Sequence, residues 1–261
     1  MDKISTIMVP FDFSEASRNA LKYVVDFVGW ESDIKIVMAF ISGRLNFKLD
    51  PNNFKKIEEE YNSDLKVPLE WCIKDGTLTE VLLEVQKTRD IDLIVMGTEG
   101  AKKEGDTQPT NTSKLVLAAS CPVLVVPNEY REFRLKRIAL VLGQQEIDNS
   151  RALGTLLNVA RKTNAKVHVV TIANQEGTFG YSEEEEKNEN MVEHYLESFY
   201  EERVFIKNKD VVKGILSYVE KNELDLITIL PGNHNKRNAP SEGKLTQVLT
   251  MQSKVPVLAI D

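Results

Sequence analysis

Asp12, Gly97 and Gly100 are the residues of this sequence that could form a ligand site, and the spacing of the two glycines suits the binding of an anion. Asp12 directly follows an apolar run, and Gly97 closes a later apolar run, IDLIVMG. Two glycines three positions apart allow a loop backbone to approach a phosphate with no Cβ in the way. This arrangement is typical of a phosphate site, or of the remains of one.

Three hydroxyl side chains follow this loop where a helix is predicted to begin: Thr110, Thr112 and Ser113. The free N–H groups and the dipole of a helix start favour an anion. Pro109 works against phosphate because proline has no N–H to donate. The loop also carries two lysines against three acidic residues, Glu99, Glu104 and Asp106. Proline followed by Thr-Asn-Thr is equally a good helix start that needs no ligand, so both interpretations stay open.

The sequence contains no motif of dinucleotide or P-loop binding, of a metal site or of a hydrolase. The junction after the first strand, PFDFSEAS, has no glycine, and no G-x-x-x-x-G-K-[ST] occurs. The three histidines are widely separated, and the chain has no C-x-x-C, H-E-x-x-H or G-x-S-x-G. We therefore predict no catalytic residue and no metal site. His168, within VHVVTI, is predicted to be a core or edge residue.

The composition is that of an ordinary globular protein: 42% of the 261 residues are hydrophobic, 28% are charged, and the net charge is −7. Nothing in this balance favours nucleic acid or an anionic membrane as a partner. No apolar run approaches the ~20 residues of a membrane span, and the first residues lack a signal-peptide pattern. We expect a cytoplasmic protein whose two cysteines, Cys72 and Cys121, are buried thiols.

Short apolar runs alternate with amphipathic helical patterns along the chain. In the first half, strands are expected near Ile4–Pro10, Ile34–Ile41, Val67–Ile73, Ile91–Gly97 and Cys121–Pro127. The clearest helices are expected at Ala16–Val28, with Ser14 or Asp12 as its N-cap, and at Leu78–Thr88. Strands with near-continuous apolar character, alternating with helices, indicate a parallel sheet covered on both faces.

The pattern recurs in the second half of the chain. DLIVM at Asp92 returns as DLITI at Asp225, and Pro122 of CPVLVVP is matched by Pro256, at offsets of 133 and 134 residues. Matches in the same order at a nearly constant offset indicate an internal duplication. We predict domains over residues 1–129 and 134–261. Between them the polar segment NEYREFRL forms the boundary, and Gln175–Asn190 is predicted to be a mobile segment.

The order of VPFDFSEAS, DLIVMG, a glycine loop and CPVLVVP resembles the universal stress protein family, and the duplication resembles its tandem form. The resemblance implies an α/β protein of two tandem Rossmann-like, doubly wound domains. Each would be a five-stranded parallel sheet of order 3-2-1-4-5 flanked by helices. The domains would pair through their last strands as an intrachain pseudo-dimer, and the protein would act in stress response or regulation.

The family's nucleotide-binding members also imply a site in the first domain. By resemblance, Asp12 holds the adenosine, the backbone of Ala39 and Phe40 meets the adenine, and Gly97, Gly100, Thr110, Thr112 and Ser113 hold the phosphates. Pro109 stands where the family pattern has a third glycine, and the loop is one residue shorter than that pattern. The implied cofactor is ATP, with Mg²⁺, and no other cofactor is expected.

The second domain departs further from the family pattern. Leu230 replaces Gly97, Asn233 replaces Gly100, and the acid after the first strand is replaced by Gly143 or Gln144. Gly243 and Thr246 remain at the later positions, but Lys244 stands in place of a hydroxyl residue. We expect this domain to bind no ATP and to have a structural role.

Three functions remain open at this point. The first is a stress protein whose N-terminal domain binds an adenine nucleotide and whose bound state is recognised by a protein partner. The second is an interaction scaffold whose inherited cleft has decayed and binds no nucleotide. The third, slow ATP hydrolysis, is the weakest because no general base or Mg²⁺-binding acid is visible beyond Asp12. We expect no enzyme, and the sequence leaves a homodimer open.

Overall fold

The structure is a computed structural model that describes residues 3–42, 50–100, 110–142, 150–173, 191–230 and 242–260. The described residues form two compact units: an N-terminal unit over 4–100 and 110–133, and a C-terminal unit from Arg134 onwards. The predicted mobile segment Gln175–Asn190 lies outside the described residues, as do Pro109 and Asn233.

The N-terminal unit is a parallel sheet with helices between its strands. Its elements are β1 (Thr6–Pro10), α1 (Glu15–Val28), β2 (Lys35–Ile41), α2 (Pro51–Tyr61), β3 (Glu70–Lys74), α3 (Leu78–Thr88), β4 (Leu93–Thr98), α4 (Asn111–Ala118) and β5 (Val123–Pro127). The strand order is β3-β2-β1-β4-β5, with every neighbouring pair parallel. This confirms the predicted doubly wound α/β fold and its order.

The C-terminal unit repeats the same plan. Its elements are β6 (Arg137–Leu142), α5 (Ser150–Thr163), β7 (Lys166–Ala173), α6 (residues 191–196), β8 (Tyr200–Lys207), α7 (Val211–Lys221), β9 (Leu226–Ile229), α8 (Glu242–Gln252) and β10 (Val257–Ala259). The order is β8-β7-β6-β9-β10, again parallel throughout. Counted within the unit this is 3-2-1-4-5, so the predicted duplication extends to strand order.

The limits of α1 follow from local chemistry. The Ser14 side chain accepts a hydrogen bond from the Ser17 N–H at 3.2 Å, which identifies Ser14 as the N-cap. The helix ends at Gly29, whose φ of 66° is one that glycine adopts at little cost. Between these caps its apolar side chains are buried, so the predicted helix and its packing face are confirmed.

β3 begins later than predicted, at Glu70 rather than near Val67. Pro68 has no N–H for a strand ladder, and the N–H of Leu69 instead donates to Asn62 Oδ1 at 3.0 Å. The apolar character of this stretch therefore serves burial of Leu69 and not strand pairing.

Candidate functional site

Asp12 lies exposed just after the carboxyl end of β1. The Ser14 N–H donates to its Oδ1 at 3.0 Å, and the Asp12 N–H donates to Ser17 Oγ at 3.4 Å. Phe13 completes the turn with a φ of 64°, uncommon for a bulky residue. The carboxylate is thus oriented by the start of α1 while remaining open to solvent.

Gly97 lies inside β4, where it pairs with Val126 of β5. A Cβ built on it would lie 2.0 Å from the carbonyl oxygen of Ala16 in the first turn of α1. No side chain fits at that distance, so glycine is required for α1 to pack directly on the strand. The same contact brings the Asp12 turn and the end of β4 together.

Gly100 follows β4 with a φ of 75°, which explains glycine at this position. Its N–H donates to Thr98 Oγ1 at 3.1 Å. The second glycine of the pair is therefore placed at the predicted edge of the sheet, with its N–H already in a local turn.

The start of α4 is capped by its own side chain. Thr110 is the N-cap, and its Oγ1 accepts from the Ser113 N–H at 3.1 Å while Ser113 Oγ donates to the Thr110 carbonyl at 3.0 Å. Thr112 is only 6% exposed and Ser113 only 1%. Of the three predicted hydroxyl residues, Thr110 alone is half-buried and reachable in this structure. Their contact with phosphate stays a prediction.

Ala39 and Phe40 are buried within β2. The Ala39 carbonyl accepts a hydrogen bond from the Phe11 N–H at 2.9 Å, which ties the end of β1 to β2. Both residues also pair with β3, opposite Cys72 and Ile73. Both residues therefore belong to the sheet that carries this edge. Their contact with adenine stays a prediction.

A cluster of aromatic rings lies beside Asp12 and was not predicted. Its rings are Phe11, Phe13, Phe40, Phe54 and Trp71, with centroids of neighbouring rings 4.4–6.3 Å apart. Phe11 and Phe40 are buried, whereas Phe13, Phe54 and Trp71 are half-buried; we call these three the aromatic wall. Phe11 and Phe13 flank Asp12 in the sequence, but nothing in sequence spacing connects them to α2 or β3.

The first turn of α1 is also held from the chain that follows β5. The guanidinium of Arg131 donates to Glu15, and this hydrogen bond, with the positive charge, holds the pKa of the Glu15 carboxyl below its usual value. The buried amide of Asn19 donates to the carbonyls of Pro127 and Tyr130, each at 3.0 Å. These contacts fix the helix start that carries the Asp12 turn.

The described part of the chain shows three further features, which concern metal ligands, membrane-spanning helices and the state of its cysteines. Its His, Cys, Asp and Glu side chains form no group of three that could hold a metal ion. Its helices include none long and apolar enough to cross a membrane. Cys72 and Cys121 are free thiols; Cys72 is buried as predicted, whereas Cys121 is half-buried. Partial burial still raises the pKa of Cys121 to about 12.

Among the described residues, the corresponding edge of the C-terminal unit differs from this one. Leu230, the counterpart of Gly97, is 4% exposed, and Thr246 is 3% exposed. Gly143 and Gln144, the candidates for the position of Asp12, lie outside the described residues. His168 is nearly buried in β7 as predicted, with its Nδ1 3.0 Å from Glu202 Oε1 and 3.2 Å from the Tyr218 hydroxyl.

Comparison with known proteins identifies the first unit. Residues 3–127 match the model of the Universal stress protein family. The N-terminal unit belongs to this family. We refer to it below as the universal stress domain. No curated protein matches the chain.

Solved structures resemble the whole chain in fold. A universal stress protein from Archaeoglobus fulgidus DSM 4304 aligns over 99% of this chain and 97% of its own, with a TM-score of 0.67 and 14% sequence identity. A functionally unknown protein from Pseudomonas aeruginosa PAO1 aligns over 98% of this chain and 92% of its own, with a TM-score of 0.59 and 16% identity. The fold of the whole chain is thus found in solved structures.

Proposed function

We propose that the universal stress domain binds an adenine nucleotide at the carboxyl ends of β1 and β4. The protein would act in stress response or regulation, with a protein partner recognising the bound state. The observation that carries this proposal is the Asp12 carboxylate, exposed at that edge and held by the Ser14 N–H at 3.0 Å. Open α/β sheets bind their ligands at this edge.

The proposed role of Asp12 follows from its hydrogen bonds. The Ser14 N–H donates to Asp12 Oδ1, and no other described residue donates a hydrogen bond to the Asp12 side chain. An ionised carboxylate accepts hydrogen bonds only, and its two oxygens have room for several. The hydroxyls of a ribose are donors that suit it, and a bond to a charged acceptor is stronger than one between neutral groups.

The position of the β4 loop supports the same site. Gly97 allows the first turn of α1 to meet the end of β4, so that Asp12 and Gly100 belong to one edge of the domain. Gly100 has the conformation that the predicted glycine pair requires. A nucleotide with its sugar at Asp12 would extend its phosphates along this loop.

A second function, an interaction scaffold with no nucleotide, is favoured by one observation. The α4 start is closed by its own hydrogen bonds, and Thr112 and Ser113 are buried. This part of the edge needs no ligand to be stable. In either case we propose a cytoplasmic protein without enzymatic turnover, except for slow ATP hydrolysis if Mg²⁺ accompanies the nucleotide.

Calorimetric titration of the purified full chain tests the proposal. AMP and ATP, the latter with and without Mg²⁺, should each be tried on protein shown beforehand to be free of nucleotide. Binding near one site per chain supports the universal stress domain as the site. No heat with any adenine nucleotide would favour the scaffold.

Asp12→Ala locates the site. Loss of a charge-assisted hydrogen bond to the sugar should weaken binding about tenfold or more. The matched control is Asp33→Ala, since Asp33 is an exposed aspartate that precedes β2 and therefore lies at the opposite, amino edge of the sheet. Equal affinities for Asp12→Ala and the unmutated chain would reject this edge.

A further inference from the structure

We infer that the site selects nucleotides with few phosphates, so that AMP or adenosine binds at least as well as ATP. This inference rests on the proposed function, because it concerns the same site. It follows from three features. Several groups that would meet phosphate already hydrogen-bond within the domain, the exposed side chains of Asp12 and Glu99 are acidic, and the aromatic wall lies beside Asp12.

Several of the groups that would meet phosphates are engaged by one another. The Gly100 N–H bonds to Thr98 Oγ1, and the Ser113 N–H bonds to Thr110 Oγ1. Ser113 Oγ donates to the Thr110 carbonyl and is buried with its residue at 1% exposure. A phosphate would have to break these bonds before gaining its own, which reduces the net benefit of each contact.

The charge at this edge also disfavours polyphosphates. Asp12 and Glu99 are both exposed there. Arg131, the cation beside the first turn of α1, is paired with Glu15. Each added phosphate therefore brings further negative charge toward acidic side chains, a repulsion that salt screens.

The aromatic wall offers binding energy to the nucleoside. Phe13 directly follows Asp12, its ring lies 5.3 Å from that of Phe54, and it stacks on Trp71 with an interplanar angle of 20°. The Trp71 indole N–H is already bonded to Glu58 at 2.9 Å, so Trp71 offers a ring face and no free donor. Stacking of a base on aromatic faces needs no phosphate.

Titration of the full chain with adenosine, AMP, ADP and ATP tests this order. The dissociation constants of AMP and adenosine should agree within about threefold, and ATP should bind no tighter than AMP, with or without Mg²⁺. Raising the salt from about 0.05 to about 0.5 M should strengthen ATP binding relative to adenosine, because it screens repulsion.

The outcomes separate the two proposals. ATP binding more than about threefold tighter than AMP, or weakened by salt relative to adenosine, overturns the phosphate inference and leaves the nucleotide site standing. Absence of binding by all four compounds overturns the proposed function, and the inference with it.

Two variants and one control variant sharpen the test. Phe54→Leu should weaken adenosine and AMP by the same factor, and Phe205→Leu, at an exposed phenylalanine of the C-terminal unit, should leave both unchanged. Glu99→Gln should strengthen ATP binding and leave adenosine unchanged. Circular dichroism confirms that each variant is folded. Unchanged adenosine affinity in folded Phe54→Leu would remove the aromatic wall from the site.

Discussion

Asp92 in the universal stress domain and Asp225 in the C-terminal unit occupy equivalent positions, just before β4 and β9, and make equivalent bonds. Asp92 Oδ2 accepts from the N–H groups of Ser5 and Thr6 at 2.8 and 2.9 Å. Asp225 Oδ2 accepts from those of Lys136 and Arg137 at 2.7 and 2.9 Å. In both units the aspartate holds the start of the first strand, so this repeated acid has a structural role.

The opposite edges of the two sheets differ. Where the universal stress domain has Gly97 under the backbone of Ala16, the C-terminal unit has a buried leucine, Leu230. Gly97 lies within β4 and must lack a side chain, whereas its counterpart Leu230 directly follows β9 and carries a large apolar one. The comparison teaches that the two units share the aspartate that holds the first strand and differ at the carboxyl edge of the sheet.

The largest effect is expected from Gly97→Ala. Its Cβ would meet the Ala16 carbonyl at 2.0 Å, so α1 must move, at a cost of about 3 kcal/mol or more in the free energy of unfolding. Both tryptophans, Trp30 and Trp71, lie in the universal stress domain, and their fluorescence during urea unfolding reports on it.

Leu230→Ala is the reciprocal control, because it removes a side chain where Gly97→Ala adds one. A cavity at this buried position should cost about 2–4 kcal/mol in the C-terminal unit. We expect far-ultraviolet circular dichroism to show this loss of stability and tryptophan fluorescence to show little of it.

A stable Gly97→Ala variant would contradict the close packing of α1 on β4.

Asp92→Asn and Asp225→Asn should have similar, somewhat smaller effects. Each weakens hydrogen bonds to a charged acceptor, and we expect a loss of about 1.5–3 kcal/mol in the unit that carries it. Asp225→Asn should lie at the upper end, since Asp225 is 4% exposed and also bonds to Arg134 Nε at 2.9 Å. Denaturation followed by both probes measures each loss. An effect in one unit only would break the equivalence of the two aspartates.

Tyr218→Phe should have a smaller effect, confined to the C-terminal unit. The hydroxyl donates to Glu202 Oε1 at 2.9 Å, and its loss should cost about 1 kcal/mol in circular-dichroism denaturation. The corresponding acid of the universal stress domain, Glu70, meets Arg89 at 3.3 Å on the surface. Arg89→Ala should therefore cost at most about 0.5 kcal/mol, and a greater loss there than in Tyr218→Phe would reverse the comparison.

The smallest effects concern two exposed glutamates, one in each unit. Arg131 lowers the pKa of Glu15, and Arg137, followed by Arg134, lowers that of Glu223. Because each folded pKa lies below the unfolded value, a small stabilisation is present above about pH 4.5 and is lost as the pH falls through the folded pKa. Carboxyl NMR titration should show the Glu15 pKa rising in Arg131→Ala and that of Glu223 rising in Arg137→Ala. A glutamate whose pKa did not rise would lack the assigned pairing.

Much of the fold could be predicted from local pattern. The period of apolar residues located α1 and α3, and Ser14 was already a candidate N-cap, because helix propensity and capping depend on neighbours a few residues apart. The recurrence of DLIVM as DLITI predicted the duplication that the two strand orders confirm. The beginning of β3 was missed because the N–H of Leu69 bonds to Asn62, seven residues away.

The sequence alone determined the α/β class, the repeat and the family resemblance of the first unit, since strand alternation and short motifs are local. Only the tertiary structure decided why Gly97 is a glycine, which follows from Ala16 on another element. It also decided that Thr112 and Ser113 are buried and that Phe13, Phe54 and Trp71 form one surface. Burial and ring contacts depend on residues distant in the chain, and no spacing rule brings those together.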